Sequence, residues 1–125
     1  MAETEWRNKS ILQSKSHAFA SRMIRLHGYL ISHGLDYSLA RQLVRCGTSI
    51  GANIAESNYA QSKPDFITKL SIALKEANET KYWLELFHEN GFINDKGHES
   101  LQQDLIELLK LLTSILKTIK NKADP

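Results

Sequence analysis

Residues 38–56 read SLARQLVRCGTSIGANIAE, and how this stretch is read decides the fold. It has helical period, yet Gly47, Gly51 and Ala55 recur within it every four residues. A glycine inside a helix costs roughly 1 kcal/mol against alanine. Two of them at this spacing mark a strip where something approaches the backbone closely. Placed at 100° steps, Leu39, Leu43, Cys46, Ile50 and Ile54 form a main apolar stripe. Ala40, Val44, Gly47, Gly51 and Ala55 form a small-residue strip beside it. Arg41, Arg45, Ser49 and Asn53 fill the third side, with Glu56 at the end. An apolar and small arc this wide exceeds what a surface helix presents to one core. The stretch is therefore expected to have more than one neighbour, in a bundle and in an assembly.

The flanking chain repeats the helical pattern three more times, without sustained two-residue alternation to suggest strands. A first helix is expected from about Ile11 to His33, with Leu12, Phe19, Met23, Leu26 and Leu30 on one face. Gly34 then suits a left-handed stop, with Leu35 folding back onto Leu30. Asp36 caps the second helix, which runs to about Tyr59. Ser62, Pro64 and Asp65 read as the start of a third helix, which ends near Asn90 with Gly91 as its stop. Its core stripe is Phe66, Leu70, Ala73, Ala77 and Leu84. Asn94 or Asp95 caps a fourth helix with Leu101, Leu105, Leu108, Leu112, Ile115 and Ile119 in one seam, ending near Lys122. Short connections favour antiparallel neighbours. The expectation is an all-α, up-down-up-down, antiparallel, left-handed four-helix bundle. It occupies residues 11–122, after a polar lead-in over 1–10 and before a tail over 123–125.

Composition narrows the function. At 125 residues the chain is one domain with room for one core. A single cysteine, Cys46, excludes an internal disulfide and a thiolate metal cluster. No signal segment and no apolar run of about 18 residues is visible, so a cytoplasmic protein without membrane contact is expected. The net charge of +2 permits nucleic acid as a partner without demanding it.

Catalytic and metal chemistry find little footing. Glu76 and Glu79 share a face of the third helix, but a di-metal bundle site wants Glu-x-x-His pairs, and the five histidines form none. Cys46 has no histidine near it, and Ser49 and Ser57 lack a base. Residues 47–51 hold two glycines but lack the lysine finish of a phosphate loop. No catalytic residue, metal, cofactor or small-molecule substrate is expected. Partly buried carboxylates need cations instead, and Arg41 and Arg45 are the obvious ones. An Arg45–Glu76 or Arg41–Glu79 pairing is expected, within one chain or between subunits, with Asn53 and Glu56 in the same polar network. Lys15, Arg22 and Arg25 on the first helix, with Lys117, Lys120 and Lys122 on the fourth, form a candidate nucleic-acid surface. These two helices are neighbours in the expected topology. The plainer reading is a solvated charged face.

Residues 41–56, RQLVRCGTSIGANIAE, and residues 65–84, DFITKLSIALKEANETKYWL, resemble the signature of a bacterial family. It is the four-helix-bundle family encoded in intervening sequences of 23S ribosomal RNA genes. The resemblance implies an up-down bundle assembled as a homopentamer, and no enzymatic activity. A related group, the accessory proteins of diversity-generating retroelements, implies binding of RNA or DNA through basic surfaces. The alternative is a structural or protein-interaction module without nucleic-acid contact.

Overall fold

The structure, a computed structural model, describes residues 3–122 of the chain, with side chains from Trp6 onward. The 123–125 tail lies outside the described residues. Among the described residues four helices make up the fold: α1 (Glu3–Ser32), α2 (Tyr37–Ser57), α3 (Lys63–Glu89) and α4 (Asp95–Asn121). Each packs on its chain neighbours, and α1 closes the ring on α4. Paired contacts run in opposite chain directions. Gly47 and Gly51 on α2 approach Met23 and Ser16 on α1, while Lys15 and Arg22 on α1 reach Glu107 and Asp104 on α4. In these two pairs, α1–α2 and α1–α4, the helices therefore run antiparallel.

The helix ends follow from local chemistry. Gly34 and Gly91 have φ of 93° and 83°, a region side chains resist. Each closes a Schellman motif. Leu35 N–H donates to the Leu30 carbonyl at 3.0 Å, and Phe92 N–H donates to the Phe87 carbonyl at 2.9 Å. At the starts, Asp36, Ser62 and Asn94 accept from the backbone N–H of Ser38, Asp65 and Gly97, at 2.9, 3.1 and 2.7 Å. Asp65 also accepts from the N–H of Gln61, the residue before the cap, so its carboxylate ties the incoming chain to the first turn of the third helix.

The core is the stack of expected stripes. Leu12, Phe19, Met23 and Leu30 meet Leu43, Cys46, Ile50 and Ile54, then Leu70, Ala73, Ala77 and Leu84, then the seam from Leu101 to Ile115. Two expectations need correction. Leu39, placed on the main stripe, is 41% exposed, while Ala40 beside it in the same turn is fully buried, so the buried side of α2 at its start runs through Ala40. The polar lead-in is helical from Glu3, so α1 starts eight residues before Ile11. Lys9 packs within this extension. It is only 8% exposed, and its ammonium lies 4.8 Å from the Phe66 ring centre and 5.4 Å from that of Trp6. Its aliphatic stem covers α3 while the charge meets two aromatic faces. Burial lowers its pKa.

Candidate functional site

The glycine strip of α2 faces its own chain. A Cβ at Gly47 would sit 2.4 Å from Met23 Cγ, and one at Gly51 would sit 3.2 Å from the Ser16 carbonyl oxygen. Ser16 is itself buried, its hydroxyl donating to the Gln13 carbonyl. Gly47 and Gly51 thus let α1 and α2 pack closely within one bundle. Ala55 differs. It is exposed, and with Gly51, Ala52, Gln13, His17 and Ala20 it lines a groove of about 280 Å³ between α1 and α2.

The polar side of α2 is divided. The Arg45 guanidinium donates to Glu79 and reaches Glu76 Oε2 at 3.4 Å, joining α2 to α3. Glu79 also accepts from the Trp83 indole N–H at 3.1 Å. Two donors on one carboxylate lower the Glu79 pKa, the indole most strongly, with burial opposing it next and the Arg45 hydrogen bond and charge adding to the lowering after that. Glu76 is the more enclosed partner, its side chain 14% exposed. Arg41 lies one turn before Arg45, exposed and without an ion pair among the described residues. Glu56 pairs with Lys69 at 3.1 Å. The Asn53 amide donates to the Ser49 carbonyl of its own helix at 2.9 Å. Among the described residues, the six expected network members thus fall into two separate ion-pair groups, one local hydrogen bond and one arginine without an ion pair.

The basic residues of α1 and α4 do share a seam, but two are neutralised across it. Lys15 pairs with Glu107 at 2.9 Å. Arg22 pairs with Asp104 at 2.6 Å and donates to the Ser100 hydroxyl at 3.1 Å. Arg25, Lys110, Lys117 and Lys120 are exposed and have no ion pair among the described residues. Lys122 is exposed as well. All acids of α4 lie in its first half, at Asp95, Glu99, Asp104 and Glu107, so the second half presents lysines alone. Lys110 and Lys117 flank a shallow depression with Ile106, Leu109, Thr113 and Ser114.

Two of the candidate nucleophiles, Cys46 and Ser57, are buried, while Ser49 is half-buried. Cys46 is fully buried, and burial pushes its thiol up to about 11. The Ser57 hydroxyl donates to the Ile54 carbonyl at 2.6 Å. Among the described residues no three His, Cys, Asp or Glu side chains are placed to share a metal ion.

Two histidine arrangements went unread in the sequence. His88 and His98 stack across the α3–α4 turn with ring centres 4.1 Å apart and planes within 4°, and His88 Nε2 lies 2.7 Å from Asp95. No helical spacing signals that pair. On α1, Tyr29 stacks on His33 at 3.9 Å. This second pair falls at i, i+4 on one exposed face, and the spacing alone is enough to find it. Arg25 continues the same row one turn earlier. A cleft of about 360 Å³ opens beside it, between α1 and the start of α4.

These features define an all-α four-helix bundle with an internally paired polar side and a lysine-bearing end. The chain belongs to the 23S rRNA-intervening sequence protein family, whose profile matches residues 8–114. A solved structure from Bacteroides thetaiotaomicron, described as a protein with unknown function from the S23 ribosomal protein family, is 46% identical. The alignment covers 88% of this chain and 98% of that one, with a TM-score of 0.85. No curated protein matches the chain. No helix among the described residues is long and apolar enough to cross a membrane.

Proposed function

We propose that this protein is a non-enzymatic, cytoplasmic, homo-oligomeric bundle, a pentameric ring, that binds structured RNA through the lysine faces its subunits bring together. The observation that carries the reading is the second half of α4. Lys110, Lys117 and Lys120 stand exposed there, with no acid on that half of the helix and no ion pair among the described residues. One such face is a modest patch. Five copies on one ring multiply the local field and the effective concentration of contacts. The family's link to 23S rRNA genes supports ribosomal RNA as the first ligand to try.

Self-association has its own support on the opposite side. Ile24, Ile31 and Tyr37 are exposed on α1 and α2, which also carry the groove lined by Ala20, Ala52 and Ala55. Arg41 lies on α2 without an ion-pair partner among the described residues. A second copy of the chain would bury the apolar side chains and meet that charge.

Filter binding of 23S rRNA fragments across a salt series tests the RNA reading. Affinity should fall linearly on a log–log plot. Changing Lys117 and Lys120 together to Gln should reduce the slope by about 1.5. No binding at low salt, or binding independent of salt, overturns it. Light scattering at micromolar protein should give about five times the chain mass, and a monomer overturns the ring. A second reading, a protein-docking module, is favoured by the same exposed apolar residues. An intact ring that binds no RNA selects it.

A further inference from the structure

We propose that the cleft between the C-terminal half of α1 and the start of α4 holds an unpaired base and its phosphate from single-stranded RNA. The inference rests on the nucleic-acid reading above, but assigns a second site, on different residues and with a different preference. The lysine face offers charge alone. This cleft offers charge, an aromatic plane and an apolar floor together.

The residues divide the work. Leu26, Ile93 and Leu101 form the floor, and Arg22, Arg25 and Tyr29 line the α1 side. The volume, about 360 Å³, falls at the lower end of the range for small-molecule sites and suits one nucleotide rather than a helix. Arg22 is tied to Asp104 and Ser100, so its charge is matched and its guanidinium is a fixed wall. Arg25 has no ion pair among the described residues, which leaves one cation for one phosphate. Tyr29 is 46% exposed and already backed by the His33 ring at 3.9 Å. A base laid on Tyr29 extends an existing stack instead of ordering a loose side chain.

The start of α4 would ordinarily attract the phosphate. Here the Gly97 N–H already donates to Asn94 Oδ1 at 2.7 Å, and the His98 N–H donates to the Asn94 carbonyl at 2.9 Å. With the Gly97 N–H taken by the cap and the Asp95 carboxylate in the first turn of α4 opposing an anion, the phosphate falls to Arg25. Asn94 Nδ2 has no partner among the described residues, and it lies at the cleft as a donor to an acceptor on the base edge. Bases within an RNA duplex are stacked and paired, and cannot enter such a cleft, whereas a loop or bulge base can.

The test is fluorescence anisotropy at low salt, using an end-labelled single-stranded RNA octamer and a fully paired RNA duplex of the same sequence. The protein is the full chain, its fold and mass checked by circular dichroism and light scattering. Tyr29→Ala should weaken octamer binding about tenfold and leave duplex binding within twofold. Tyr29→Phe should retain octamer binding, separating stacking from damage to the fold. Arg25→Gln should weaken octamer binding and lower its salt slope by about 0.7. Unchanged octamer binding by Tyr29→Ala, or equal loss on octamer and duplex, overturns the cleft. If both RNAs bind and respond only to Lys117→Gln and Lys120→Gln, the cleft fails while the nucleic-acid reading stands. If the wild-type protein binds neither RNA, both fall.

Discussion

Met23 on α1 fills the space where Gly47 on α2 lacks a side chain. A Cβ on Gly47 would meet Met23 Cγ at 2.4 Å and Sδ at 2.7 Å, and Met23 is fully buried. A helical glycine that looks costly by propensity is thus set by its neighbour's volume.

Gly47→Ala gains about 1 kcal/mol in helix propensity but overpacks the core, at a cost of about 1–3 kcal/mol. A net loss near 1 kcal/mol is expected in urea unfolding. Gly28 is the control. It lies inside α1, and a methyl group added there would meet nothing within 4 Å, so Gly28→Ala should stabilise by about 0.5–1 kcal/mol. Equal effects at both sites would contradict the packing account.

Arg45→Ala leaves Glu76 and Glu79 without their cation. A loss of about 1 kcal/mol at neutral pH is expected, kept small because Arg45 is about half exposed. The pH dependence follows from Glu79, whose folded pKa lies below its ordinary value of 4.5. Such a carboxylate contributes stability that is present above 4.5 and lost as pH falls through the folded value. The gap in urea midpoint between wild type and Arg45→Ala should therefore shrink from about pH 7 to about pH 3.5. A gap that stays constant would mean that the loss in Arg45→Ala does not come from pairing with ionised carboxylates.

Cys46 should resist iodoacetamide at about pH 8 in the folded protein and react fully in denaturant. The thiol is buried, and its pKa of about 11 leaves almost no thiolate. The raised value also has a linkage consequence. The unfolded thiol ionises first, so this contribution is complete below pH 9 and declines from there towards 11. Cys46→Ala should remove that part of the alkaline decline. Rapid labelling of the native protein would show the α2–α3 packing to be looser than described.

His98 is held below its ordinary value of 6.5, by burial first and then by the charge of His88 stacked on it, with Glu85 and Asp95 opposing. Its Nε2 is buried without a partner among the described residues. A histidine with a depressed folded pKa favours folding above 6.5, and that contribution is lost as pH falls through the folded value. His98→Phe keeps a ring for the stack and removes the titration. Its urea midpoint should change less between about pH 7.5 and about pH 5.5 than that of the wild type.

The residues that were legible and those that were not differ in kind. Gly34, Gly91, Asp36 and Ser62 announce helix ends because a stop or cap acts within a few residues of itself. Arg45 and Glu76 were legible as a type of pair, because an enclosed carboxylate demands a cation and few stood on the polar sides. Arg41 met the same criterion and has no ion pair among the described residues, since only one of two cations a turn apart reaches α3. Lys15 and Arg22 read as free charge, yet Asp104 lies 82 residues from Arg22 along the chain. No local pattern registers such a partner. Lys9 read as part of a polar lead-in, because the Phe66 ring that covers it belongs to α3.

By itself the sequence determined four helices, their stops and caps, their core stripes and the family, since all of these rest on interactions spanning at most a few turns or on direct likeness. Tertiary structure alone decided which charges are spent and which remain. It turned Gly47 and Gly51 inward to Met23 and Ser16, matched Lys15 and Arg22 with acids of α4, and left Arg25, Lys117 and Lys120 exposed. The physical reason is that a periodic pattern gives a side chain's direction around its own helix. The group it meets there is set by the register of the neighbouring helix.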